Sequence, residues 1–145
     1  MQINMWKKRS HLSRLKKFNI LFLGGGKRVS LAERFISAGK ELGLKIKVYS
    51  YEIDIKVPFS LVGEVIQGLK WYEENIYDDL LQIIKKKNIS IVLANVDLAT
   101  IILAKINEKY PHLGFITSEH SLCEIFIDKK KMHEQLAKVG IKTIP

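Results

Sequence analysis

FNILFLGGGKRVS, from Phe18 to Ser30, is an apolar run that stops at three glycines and continues into two cations. Residues of this kind ahead of a glycine cluster predict a buried strand opening into a tight loop. Ser30-Leu-Ala-Glu33 follows, a pattern in which the serine hydroxyl and the glutamate carboxylate each satisfy a free backbone N–H at a helix start. Strand, glycine loop and helix together are a place to hold an anion. Glycines bring backbone N–H groups close to a ligand, and a helix N-terminus adds partial positive charge. Lys27 and Arg28 add full charges. Neither phosphate fingerprint is met: the glycines are too closely spaced for G-x-x-x-x-G-K-[ST], and Val29 stands where the third small residue of G-x-G-x-x-G would fall. A plain glycine turn between strand and helix stays the alternative.

Around this stretch lies a chain of 145 residues, 47% hydrophobic and 27% charged, the size and composition of one globular domain. A single cysteine, Cys123, excludes a disulfide framework and suits a reducing cytoplasm. No apolar run approaches the roughly 18 residues of a membrane span, and none near Met1 has the length of a secretory leader core. The net charge of +9 is uneven. Residues 1–17 hold six cations and no acid; removing these six from the 24 leaves 18 basic against 15 acidic residues. The body is only mildly basic, so residues 1–17 read as a solvated basic extension. An amphipathic helix carrying Trp6, Leu12 and Leu15 to acidic lipid or nucleic acid is the alternative.

Beyond the loop, Leu31, Phe35, Ala38 and Leu42, flanked by Ala32 and Ile36, predict one helical face, closed by Gly43. Leu44 to Tyr51 alternates as a strand and delivers Glu52. An acid after the second strand holds a ribose in dinucleotide folds; without the glycine fingerprint, Glu52 is expected to be a solvated loop acid. Pro58 blocks a long element, and Glu64 to Leu69 is a short third strand. Tyr72 to Lys87 reads as a helix, acids at its front and Lys85, Lys86 and Lys87 at its back, as the macrodipole favours. Ile89 to Ala94 is apolar enough for a central parallel strand beside Phe18–Leu23. Asp97 is expected to cap a helix over Leu98–Tyr110, Leu113–Thr117 to form a further strand, and Ser118 to cap Glu119–Ile127.

The alternation predicts an α/β fold, a parallel-sheet Rossmann-like three-layer domain over 18–127. Its ligands belong beyond the carboxyl ends of the strands, where the loops carry Gly24, Gly25, Gly26, Arg28, Glu52, Asn95, Asp97, Thr117 and Ser118. In the last segment, Asp128 reads as an N-cap and Gly140 as a C-cap, yet Lys129, Lys130 and Lys131 occupy the turn where cations are disfavoured. That points to something anionic nearby, a solvated basic turn being the alternative. His120 and Cys123 are two ligands, too few for a zinc site.

Asp128-Lys129, Leu136, Gly140, Ile141, Thr143 and Pro145 resemble the D-K-x(6)-L-x(3)-G-I-P-T-P segment that opens the nucleotide-binding part of ATP-grasp ligases. Asn19 to Ser30 resembles the first strand and loop of their N-terminal, pre-ATP-grasp domain, particularly in proteins similar to the carbamoyl-phosphate synthase large subunit. Pro58 with Gly63-Glu64, and the strand ISIVLAN with Asp97, are similar to further landmarks of that family. Gly68 departs from it, standing where a proline is usual, as do Lys142 and Ile144.

The resemblance implies an enzyme that joins a carboxylate to an amine or another nucleophile, using ATP and Mg2+ to form an acyl phosphate. It implies that Gly24, Gly25, Gly26 and Arg28 face an anionic substrate and that Lys129 touches the nucleotide phosphates. Residues 128–145 would lead into a missing ATP-grasp domain in cis, the chain being an excised domain or a truncated product. By itself it is expected to hold no tightly bound cofactor, no metal and no catalytic residue, and to be inactive. Its expected partners are a small-molecule carboxylate and the missing domain; a homodimer is left open, and membrane and nucleic acid are not expected. A free-standing Rossmann-like nucleotide-binding domain and a nucleic-acid module using the basic N-terminus are the alternatives.

Overall fold

The central strand, β1 (Lys17–Leu23), lies between two parallel neighbours in a computed structural model that describes residues 16–143. Most of the basic extension and the final Ile144 and Pro145 lie outside the described residues. β1 pairs with β2 (Lys45–Glu52) on one side and β4 (Ile91–Ala94) on the other, and β2 pairs with β3 (Glu64–Gln67). The order is β3-β2-β1-β4, all parallel.

Successive side chains of β1 point to opposite faces, and each face meets its own helices. Ile20 and Phe22 pack with Ala32 of α1 (Val29–Glu41), Val48 and Phe59. Leu21 and Leu23 pack with Tyr49, Tyr51, Leu80 of α2 (Ile76–Lys86) and Leu103 of α3 (Asp97–Lys109). The result is the three-layer α/β Rossmann-like arrangement that the alternation predicted. The polar Asn19 ties β1 to the end of α2, its Nδ2 donating to the carbonyl of Lys87 2.6 Å away.

Several local expectations change. α1 begins at Val29 with Arg28 as its cap, and no side chain caps it, so Ser30 and Glu33 do not form the reciprocal pair. The face that α1 buries is Ala32 and Gly39 with Phe35 and Ile36, whereas Leu31, Ala38 and Leu42 are exposed. α2 starts at Ile76, so Glu73 and Glu74 precede it. Asp97 is the first residue of α3 and Val96 its cap, without a side-chain bond. α4 (His120–Ile127) is capped by Glu119, not Ser118. α5 (Lys129–Lys138) behaves as expected: Asp128 Oδ1 accepts from the N–H groups of Lys130 at 3.0 Å and Lys131 at 3.1 Å.

β4 is a neighbour of β1 but not a central strand; among the described residues it closes one side of the sheet. The reason is that Leu113–Thr117 forms no strand. Pro111–Leu113 is a 3-10 turn, Gly114 is left-handed at φ 62°, and the Phe115 N–H is taken by Asn107 Oδ1 at 3.1 Å. The Phe115 ring is buried against the α2–α3 side, so hydrophobic burial holds this stretch without ladder bonds.

Candidate functional site

The chain leaves β1 toward β2 and β3, then returns through α2 to place β4 on the opposite side of β1. Where strand order reverses in this way, the loops leaving two adjacent strands diverge and open a crevice at their carboxyl ends. Gly24 after β1 and Val96 after β4 meet there; a Cβ on Gly24 would stand 2.9 Å from Val96 Cγ1. The loop is held by backbone bonds, Gly24 N–H to Tyr51 O at 3.1 Å, Arg28 N–H to Gly25 O at 2.7 Å and Phe59 N–H to Gly26 O at 3.0 Å. Gly24, Gly26, Lys27 and Arg28 line a hollow of about 460 Å³, within the size range of small-molecule sites. Gly25 is buried behind it.

Glu52 is not a solvated loop acid. It lies half-buried in the wall of the hollow, its carboxylate accepting from the Ser50 hydroxyl and set against the glycine loop, with Oε2 3.0 Å from where a Cβ on Gly26 would stand. Burial raises its carboxyl above the usual range, and the Ser50 hydroxyl and the nearby N–H groups of Gly26 and Gly25 pull it part of the way back. The glycine loop therefore already faces a carboxylate of its own chain. This also accounts for Ser50, the fully buried polar residue of β2.

The remaining wall comes from Asp54, Val57, Trp71 and Asn95. Trp71 is packed against Tyr51, ring centroids 5.6 Å apart. The Tyr51 hydroxyl donates to Asp79 Oδ2 at 2.6 Å and accepts from the Leu69 N–H at 2.7 Å, and burial raises its pKa. That ring also explains Gly68, where a Cβ would stand 2.3 Å from Tyr51 Cε1. Proline, usual there in the ligases that the sequence resembles, would collide with it. Asn95 Oδ1 is closed off from solvent and has no donor.

The protein shares its fold with solved ligases. N5-carboxyaminoimidazole synthetase from Staphylococcus aureus, complexed with ADP, superposes with a TM-score of 0.61 at 22% identity over 89% of this chain and 32% of that one. L-amino acid ligase from Bacillus licheniformis gives 0.61 at 17% identity over 88% of this chain and 32% of the ligase. An ADP complex of N5-carboxyaminoimidazole ribonucleotide synthetase gives 0.57 at 15%. The likeness is one of fold. This chain spans about a third of the length of each. No family model and no curated protein matches the chain.

Of the loop residues that the sequence grouped together, Gly24, Gly26, Arg28, Glu52 and Asn95 share the hollow. Asp97 and Ser118 line a separate one of about 300 Å³ between α3 and α4. Lys129 is exposed on the first turn of α5 and is not in the lining of either. His120 Nε2 is 3.7 Å from Glu124 Oε1, and Cys123 Sγ is 3.7 Å from the carbonyl of Ser118. Sequence reasoning missed Trp71 and Asp54. Both follow the carboxyl end of a strand, β3 and β2 respectively, and that position is the signal that would have found them.

Proposed function

We propose that this chain is the substrate-side domain of an ATP-dependent carboxylate–amine ligase of the ATP-grasp type, similar to the carbamoyl-phosphate synthase large subunit. The observation that carries it is the hollow at the β1–β4 reversal, which joins a glycine loop, two cations and a half-buried acid in a fold shared with ADP-bound synthetases. The matching order of motifs from Asn19 to Pro145 supports the same reading. In this reaction ATP phosphorylates a carboxylate and the amine displaces phosphate from the acyl phosphate. Arg28 and Lys27 meet the substrate anion; Lys129, at the helix start that leads onward, meets nucleotide phosphate.

Among the described residues no three His, Cys, Asp or Glu side chains gather where they could hold a metal. The magnesium carboxylates and the ATP clamp are proposed to lie in the other two thirds of such a ligase. No helix among the described residues is long and apolar enough to cross a membrane; with its one cysteine, the protein is proposed to work in the cytoplasm.

The test is ADP release by the protein carrying those lobes, with a panel of carboxylates and amines and with hydroxylamine to trap the acyl phosphate. Hydroxamate formation that requires both ATP and one carboxylate is expected; ATP hydrolysis indifferent to every carboxylate would remove the reading. The position of Glu52 favours one other reading, a free-standing nucleotide-binding domain with Glu52 on a ribose. Saturable NAD binding weakened by Glu52→Ala would select it.

A further inference from the structure

The hollow around the glycine loop carries both signs of charge. Lys27 and Arg28 enter it from the loop, Glu52 and Asp54 from the end of β2. Among the described residues no ion pair joins either cation to either acid. The ion pairs there lie elsewhere, Lys47 and Lys87 on Glu64, and His120 on Glu124. Opposite charges that line one hollow without pairing are arranged for a ligand that bears both.

The two sides can be told apart by what is already satisfied. Glu52 faces the glycine loop, its Oε2 3.0 Å from where a Cβ on Gly26 would stand, so an incoming anion is kept off that part of the loop and is met by the side chains of Arg28 and Lys27. On the other side stand acceptors. Asn95 lines that wall too, though its Oδ1 is shut off from solvent. The Glu52 carboxylate shares that wall, as does the indole of Trp71, an aromatic ring of the kind that attracts a cation. A group with N–H donors and positive charge suits both.

We propose that the hollow binds an amino acid, its ammonium held by Glu52 beside Trp71 and its carboxylate by Arg28 with Lys27. This rests on the substrate-side reading above and names the substrate class.

Ligand-observed NMR and calorimetry on the 145-residue chain test it. The probes are glycine, alanine, aspartate, glutamate and lysine, each beside its N-acetyl and carboxamide forms, with succinate and NAD as counter-probes. At least one free amino acid should bind saturably and lose at least about tenfold on N-acetylation and again on amidation, the scale of one charge-assisted hydrogen bond. Glu52→Gln should erase the preference for the free amine, and Arg28→Ala the preference for the free carboxylate. Arg28 has an exposed side chain that makes no capping bond, so its loss leaves the fold intact. Should Glu52→Gln fail to fold, the acetylation comparison on the unaltered chain decides the amine side.

Binding of succinate or an N-acetyl amino acid as tight as that of any free amino acid overturns the proposal and leaves the ligase reading standing. NAD binding without amino-acid binding overturns both. No saturable binding of any probe up to about 50 mM, weaker than about 2 kcal/mol of affinity, overturns the proposal in a chain shown to be folded; acyl-phosphate trapping then judges the ligase reading separately.

Discussion

Replacing Gly25 by alanine tests whether the loop is held by packing or merely permitted by glycine. A Cβ there would stand 2.5 Å from Phe22 Cβ and 3.1 Å from Ser50 Oγ. Phe22 Cβ hangs directly from β1, and its fully buried ring lies against Phe35 and Phe59, with centroids 5.9 and 5.3 Å away. It has nowhere to go, so the loop must lift. Lifting stretches the 2.7 Å bond from Arg28 N–H to Gly25 O. Overpacking costs about 1–3 kcal/mol and each weakened hydrogen bond about 1 kcal/mol, together about 2–4 kcal/mol. For a domain of this size that lowers the unfolding midpoint by roughly 6–15 °C. Gly43→Ala is the control. Gly43 is left-handed at φ +67° with nothing within 4 Å of an added Cβ, so only backbone strain of about 1–2 kcal/mol applies. Thermal and urea unfolding followed by circular dichroism measure both variants. If Gly25→Ala costs no more than Gly43→Ala, the packing argument is refuted.

Glu52 supplies a pH dependence whose sign follows from its raised carboxyl pKa. The native state holds this proton more tightly than the unfolded chain, so the contribution is fully present below the unfolded value of 4.5 and is lost as pH rises through the folded one. Glu52→Gln should therefore gain on the parent protein between pH 4 and pH 7 in urea midpoints; a relative loss over that span contradicts the burial argument. The 145-residue chain should bind Mg-ATP more weakly than about 1 mM, because an exposed cation without metal ligands competes with bulk water; micromolar affinity by calorimetry would transfer the nucleotide site to this domain. Lys129→Ala should leave the unfolding midpoint within about 2 °C, since an exposed side chain without a packing role contributes within about 0.5 kcal/mol. Asp128→Ala, which removes a cap accepting two N–H groups, should cost α5 about 1 kcal/mol, read as faster amide exchange along that helix.

Patterns that depend on near neighbours in the chain are legible in the amino-acid sequence alone. The apolar run ahead of Gly24, the acids before and cations after Leu80, and the Asp128 cap each state a local preference, and each holds in place. The alternation of these pieces is enough for the α/β class, because a parallel strand needs a crossover helix. Caps and faces are less legible. Ser30, Asp97 and Ser118 are good caps by type, yet each helix starts where its packing against the sheet sets the register, one or two residues away. Leu113–Thr117 has a strand's composition, but a strand needs a free ladder partner, and Asn107 claims the Phe115 amide first.

The candidate site divides along the same line. Its glycines and cations can be read locally, because a loop between a strand and a helix is a matter of adjacent residues. Its acid, its indole and Asn95 arrive at or just after the carboxyl ends of three other strands, far along the chain. Whether Glu52 faces water or the loop depends on the parallel pairing of β1 with β2, which sets Tyr51 opposite Leu23 and brings the next residue of β2 against Gly25 and Gly26. Register between strands is a tertiary quantity, fixed by burial on both faces of the sheet, and it turns an acid that reads as solvated into a half-buried wall of the glycine-loop site.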